Sequence, residues 1–251
     1  LLIKQDNVDP QDVIHSKAQA IGKGMTSTVC FPLGNLAPEG SVIKSTAIDD
    51  SVVDEDGVYR LTGPARVFTT EREAVRAVKG LSDKKVSPGE VIVLCGRGPM
   101  GAGMEEVAQV ALALKHLEWG KQVALLTDAR FSGVSTGACI GHISPEALAD
   151  GPIGKIRDGD LIRIEIDRIN LQGSIDFIGT ENEELESDQA KIILDAREVN
   201  PEIKPDTRLH ADTKLWAALQ NISGGAWGGC VYDTEKILET IQAGEKALRN
   251  E

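Results

Sequence analysis

Val91-Ile-Val-Leu-Cys95, followed at once by Gly96-Arg-Gly-Pro-Met-Gly-Ala-Gly103, is the stretch on which the fold turns. Five apolar residues without alternation have the pattern of a strand buried on both faces. A glycine-rich loop follows, and from Met104 to Leu117 apolar residues recur at Val107, Val110, Ala111 and Leu114, a helical spacing. A second buried strand, Gln122 to Leu126, runs into Thr127-Asp128-Ala129-Arg130-Phe131-Ser132-Gly133. Strand, loop, helix, strand, loop predicts an α/β arrangement. It also sets both loops at the carboxyl ends of neighbouring strands, where such sheets gather ligands.

Upstream, Ser41 to Ala47 and Ala65 to Thr69 read as strands. A helix starts with Thr70 as its cap and Glu73 three residues on, and it ends near Gly80. Beyond Pro145 the texture turns to paired strands: Gly151-Pro-Ile-Gly154 and Arg157-Asp-Gly-Asp160 are turn sequences, Leu161 to Ile166 alternates, and Asn170 to Ile178 follows. A β-rich core flanked by helices fits this order better than an uninterrupted doubly wound sheet. Thr180-Glu-Asn-Glu-Glu-Leu-Glu-Ser-Asp-Gln189 and Asn200-Pro-Glu-Ile-Lys-Pro205 form an acidic connection. The expected division is therefore 1-180, a β-barrel/α domain carrying the chemistry, and 181-251. The latter comprises the acidic connection and a C-terminal helical segment packed on the first, with helices around Lys214 to Asn221 and from Asp233 to Leu248.

The 251 residues are 41% hydrophobic and 26% charged, ample for a buried core. Asp and Glu outnumber Lys and Arg 39 to 27, a net charge of -12, so nucleic acid is not the expected partner. No apolar run is long enough to span a membrane, and the opening Leu1 to Asn7 has neither an initiator Met nor the pattern of a leader. Such an opening suggests a piece of something longer. Cys30, Cys95, Cys139 and Cys230 are scattered without C-x-x-C spacing, which predicts reduced thiols and a cytoplasmic setting.

The glycine loop matches neither the dinucleotide nor the P-loop fingerprint, but its backbone N–H groups suit an anion. Glu105 and Glu106, expected in the first helical turn, complement the helix dipole there, and carboxylate oxygens beside such a loop suit a hard cation. Ser132 lacks a G-x-S-x-G elbow, which disfavours an acyl-transfer triad and a generic α/β hydrolase. His116 and His142 read as capping or packed imidazoles.

Five segments carry a resemblance: Gly34-Asn-Leu-Ala-Pro-Glu-Gly-Ser-Val-Ile-Lys44, Gly63-Pro-Ala-Arg-Val-Phe68, Gly98-Pro-Met-Gly-Ala-Gly-Met-Glu105, Asp128-Ala-Arg-Phe-Ser-Gly133 and Gly141-His-Ile-Ser-Pro-Glu-Ala147. In this order the chain resembles the dihydroxy-acid dehydratase and 6-phosphogluconate dehydratase family over nearly its whole length. Lys44-Ser-Thr-Ala-Ile-Asp49, Gly133-Val-Ser-Thr-Gly-Ala-Cys139 and the tail from Leu215 through Trp227 to Asp233 are similar to the sugar-acid branch that includes D-xylonate dehydratases.

The resemblance implies a β-barrel with flanking helices, similar to the swivelling domain of aconitase. It implies dehydration of a 2,3-dihydroxy sugar acid to a 2-keto-3-deoxy acid, with an iron-sulfur cluster as Lewis acid and a Mg²⁺ holding the carboxylate and 2-hydroxyl. By motif position Glu105 is the Mg²⁺ ligand and Ser132 the alkoxide base that takes the C2 proton. Gly101, Gly103, Arg130 and Gly133 line the substrate. Serine is a poor base unless cations stabilise its anion, a part that Mg²⁺ and Arg130 would play. The resemblance also implies a homo-oligomer, and an N-terminal domain holding the cluster cysteines and the other Mg²⁺ ligands. Nothing in this sequence resembles that domain, and the four cysteines do not match the cluster positions. Met100 stands where many relatives carry Lys. The alternative is a stand-alone domain that binds a sugar acid or assists assembly without chemistry.

Overall fold

The computed structural model describes residues 9, 13–25, 28–103, 105–133, 135–180, 183–226, 228 and 230–249. The opening Leu1 to Asn7, and Met104, Val134, Glu181, Asn182, Trp227 and Gly229 of the segments read above, lie outside them.

The expected α/β class is borne out by a nine-stranded mixed sheet with helices against it. In chain order the helices are α1 (Lys17–Gly22), α2 (Glu71–Val78), α3 (Pro99–Ala102), α4 (Gln109–Lys115), α5 (Ser187–Ala196), α6 (Ala211–Ser223) and α7 (Thr234–Arg249). The strands are β1 (Val29–Cys30), β2 (Gly40–Lys44), β3 (Val58–Phe68), β4 (Val91–Leu94), β5 (Ala124–Thr127), β6 (Ala138–Ser144), β7 (Asp160–Asp167), β8 (Gln172–Thr180) and β9 (Glu183–Glu184). Their order across the sheet is β1-β2-β6-β5-β4-β3-β7-β8-β9.

Long β3 joins the two halves of the sheet. Ala65 to Phe68 pair in parallel with Val91 to Leu94, while Val58 to Pro64 pair antiparallel with Leu161 to Asp167. The parallel block continues from β4 to β5 and from β5 to β6, so three neighbouring strands end on one side. The sheet curls until its beginning meets its end. Just past β1, Leu33 donates to the Gly173 carbonyl (3.1 Å) and accepts from Ile175 (2.8 Å), bridging to β8. Asn35 completes that closure by acting as an extra peptide: Nδ2 donates to the Phe177 carbonyl (2.8 Å) and Oδ1 accepts from Phe177 N–H (2.7 Å).

The period of two, with both faces covered, explains why β4 and β5 are buried throughout. Val91, Val93, Ala124 and Leu126 point into the core enclosed by the curl, while Ile92, Leu94 and Leu125 point the other way, under α2 and α4. In β7, Ile162, Ile164 and Ile166 are fully buried while Arg163 and Glu165 face outward, the alternation expected of a strand with one wet face. Thr70 caps α2, accepting from Glu73 N–H (3.3 Å). α5 is tied to the barrel by Arg197, whose guanidinium grips the buried Asp160 carboxylate with both terminal nitrogens and stacks 4.7 Å from the Phe177 ring centre.

Two readings change. The helix expected from Met104 is instead a short turn of helix at the glycine loop, α3, then an extended stretch, then α4 from Gln109. Glu106 bridges Arg130 in that stretch, and Val107 N–H donates to the Arg130 carbonyl (3.1 Å). Glu105 and Glu106 therefore do not sit in a first helical turn, and a dipole role does not apply to them. The second change is β6, which no run of apolar alternation announces.

Candidate active site

Carboxyl ends of β4, β5 and β6 converge, and a single buried side chain ties their loops together. Asp128, at the end of β5 and 1% exposed, accepts from Gly96 N–H (2.9 Å), Arg97 N–H (2.9 Å) and Ala147 N–H (3.0 Å). Burial pushes its carboxyl pKa up, against the pull of these three donors. Glu146 makes the second tie: its carboxylate is buried, and its Oε2 accepts from Met100 N–H (3.0 Å). Desolvation raises this carboxyl to about 7, with neighbouring Asp128 adding to the effect. Gly98 has to lack a side chain here, because a Cβ would come within 2.2 Å of Glu146 Oε2.

Beside this framework lie two adjoining cavities. The narrower is a crevice lined by Arg97, Pro99, Gly103, Glu105, Asp128, Ala129, Arg130, His142 and Cys230. The wider, about 330 Å³, is lined by Ser132 and Gly133 together with Lys44, Phe131, Cys139 and His142, among others. The expected residues thus separate into neighbouring groups: Glu105, Gly103 and Arg130 in the crevice, Ser132 and Gly133 in the wider cavity. Gly101 lines neither. It is buried in α3 and faces the apolar cavity shared with α6, between Met100 and Ala217.

Several side chains that the sequence reading left without a role now have one. Arg97 is buried, and its guanidinium pairs with Glu105 and with Asp206 (2.9 Å), whose carboxyl lies well below the usual range through Arg208 first and Arg97 second. Arg130 pairs with Glu106 (3.4 Å), bracing the two loops against each other. Lys44 Nζ donates to the Gly133 carbonyl (2.8 Å), holding the Ser132 loop from β2. His142 is half-buried, and both desolvation and Arg130 favour its neutral form. Gly141 admits the loop: a Cβ there would meet the Phe131 ring at 2.8 Å and the Ala129 carbonyl at 3.0 Å. Lys44, Arg97, Arg130, Gly141 and His142, and Glu146 with them, stand in stretches quoted above. The partners of Arg97 and Glu146 are remote in sequence, so the local pattern does not show what they hold.

The donor chemistry bears on the implied cofactors. Among the described residues no three His, Cys, Asp or Glu side chains gather to hold a metal ion. Glu105 is partly exposed in the crevice and fits as one carboxylate ligand of a site completed from elsewhere. The thiols do not fit a cluster: Cys30 and Cys139 are buried in separate strands and Cys95 just past the end of β4, and burial raises the pKa of each.

Comparison with known proteins agrees with the motifs. Residues 12–225 match the family model described as dihydroxy-acid/6-phosphogluconate dehydratase C-terminal. The chain is 57% identical over 247 residues to D-xylonate dehydratase YagF of Escherichia coli K12, covering 98% of this chain and 37% of that protein. It is 53% identical over 239 residues to D-xylonate dehydratase YjhG of the same organism, covering 94% and 36%. Dihydroxy-acid dehydratase 2 of Bradyrhizobium diazoefficiens is 39% identical over 222 residues, covering 88% and 33%. The chain therefore spans about a third of the length of these relatives. No helix among the described residues is long and apolar enough to cross a membrane. By both its family-model match and its relatives, the chain belongs to the dihydroxy-acid/6-phosphogluconate dehydratase family.

Proposed function

We propose that the chain supplies one side of the active site of a cytoplasmic hydro-lyase. This enzyme dehydrates a 2,3-dihydroxy sugar acid of the D-xylonate type to a 2-keto-3-deoxy acid. The observation that carries the reading is the junction of the two cavities, which sets the Ser132 loop against Glu105 and Arg130 at the ends of adjacent parallel strands. The relatives' names supply the substrate class.

In this reading Ser132 takes the proton from C2 and the 3-hydroxyl leaves. Lys44 fixes the loop that carries Ser132, and the positive charge of Arg130, two residues before the serine on that loop, would favour its anion over the neutral hydroxyl. Glu105 would hold Mg²⁺, which when bound polarises the substrate carboxylate and makes the C2 proton more acidic. Arg97 pairs with the Glu105 carboxylate and orients it in the crevice. Gly103, Gly133 and Arg130 would border the substrate. The remaining Mg²⁺ ligands and an iron-sulfur cluster belong to a partner domain that completes the enzyme, which we expect to be a homo-oligomer.

The test is keto-acid formation from D-xylonate. A full-length enzyme carrying this domain forms product and the isolated chain supplied with Mg²⁺, iron and sulfide forms none; product from the isolated chain would refute a shared site. Tight binding of aldonates to the isolated chain without turnover in any context would favour a binding domain instead.

A further inference from the structure

Dehydration leaves an enol, and a proton has still to reach C3. We infer that His142 delivers that proton, an assignment that rests on the dehydratase reading and extends it to the second half of the reaction. Of the residues lining the two cavities, His142 is the one common to both, standing between Ser132 on one side and Glu105 and Arg130 on the other. The group that acts at C3 has to reach the carbon next to the one from which Ser132 removes its proton, and this is where such a group would stand.

The backbone is built to aim the ring there. Between the pairs Gly40–Ser144 and Val42–Gly141 the register of β2 and β6 shifts, so that Ser41 alone stands opposite His142 and Ile143. A bulge of this kind redirects a side chain out of the regular alternation. At its centre His142 has φ +53°, a left-handed conformation that a non-glycine residue adopts only where its surroundings hold it. Its N–H donates to the Ala129 carbonyl (2.8 Å), which locks the bulge to the loop carrying Arg130 and Ser132. Every other residue of β6 is buried, whereas His142 keeps part of its surface in the cavities.

The chemistry balances within the substrate. A neutral imidazole nitrogen accepts the proton of the enol hydroxyl, and the resulting imidazolium gives a proton to C3. The C2–C3 π pair becomes the new C–H bond while the oxygen lone pair forms the C2 carbonyl. Nothing is oxidised or reduced, and the ring returns to its neutral form. The C2 proton taken by Ser132 leaves with the 3-hydroxyl as water. Imidazolium suits the delivery because it is a far stronger acid than a serine hydroxyl, and a ring whose surroundings favour the neutral form gives its proton up readily.

The experiment follows dehydration of D-xylonate in D₂O by the full-length enzyme, with early quenching and NMR of the product at C3. The wild type is expected to place deuterium in a single C3 position. His142→Asn, chosen because Asn tolerates positive φ, is expected to lower kcat about 10²-fold, and its product should carry deuterium equally in both positions. His142→Gln serves the same purpose should the Asn variant lose its thermal transition. Stereospecific deuteration by a folded variant, or an equal mixture from the wild type, would overturn the assignment. So would a folded variant that forms no product at high enzyme concentration, since that places His142 before C–O cleavage. A wild type inert toward aldonates would refute the dehydratase reading itself, and this inference with it.

Discussion

Replacing Asp128 with Ala tests whether one buried carboxyl holds the active-site loops together. Its two oxygens accept three backbone N–H groups, from Gly96, Arg97 and Ala147, and all three residues are buried. Removing the acceptor strands three donors, at about 1–3 kcal/mol each. The sum, about 3–9 kcal/mol, is a large share of the roughly 5–15 kcal/mol that keeps a domain folded. Urea unfolding of the chain followed by circular dichroism should show the unfolding free energy falling by that amount, through a lower midpoint with the slope unchanged. Asp128→Asn keeps one acceptor oxygen and should lose less. An Asp128→Ala protein within about 1 kcal/mol of wild type would refute the reasoning, because stranded donors that cost nothing imply water or another acceptor in their place.

Other outcomes follow from the same framework. Glu146 has a folded-state pKa of about 7, above its unfolded value, so the folded chain keeps a proton that the unfolded chain releases. Stability is therefore highest below the unfolded carboxyl range and falls as pH rises towards 7; Glu146→Gln should flatten that fall, measured as urea midpoints at several pH values. Asn35→Ala opens the barrel closure at Phe177 and should cost about 2–3 kcal/mol, as two lost hydrogen bonds with a buried partner left behind. Lys44→Met should leave stability nearly unchanged but lower kcat in the full-length enzyme by about tenfold or more, because a displaced Ser132 loop loses reacting geometry. Gly141→Ala forces the Phe131 ring aside, and it should impair turnover more than aldonate binding.

Much of the fold was legible because burial on both faces leaves a plain signature. Val91 to Leu94 and Ala124 to Thr127 needed apolar residues on either side, and the sequence shows them. Ile162, Ile164 and Ile166 announced a strand with one wet face, and Thr70 with Glu73 announced α2. The start of α4 was misread because Val107 is buried in the right phase while its backbone pairs with Arg130, a partner far along the chain. β6 was hidden by Gly141 and His142, which serve loop packing and the bulge instead of strand propensity. At the site, motif resemblance singled out Ser132 and Glu105, but Arg97 looks like an ordinary loop cation. Its burial depends on Asp206, 109 positions away, and that pairing exists only in the folded chain.

The central claim is that Ser132 acts on C2 at a site this chain shares with a partner domain. Ser132→Ala in the full-length enzyme measures it most directly, with keto-acid formation and aldonate binding followed on the same sample. The account predicts that product formation is abolished while the variant still binds D-xylonate and Mg²⁺ about as well as wild type. Substantial turnover by that variant would contradict it.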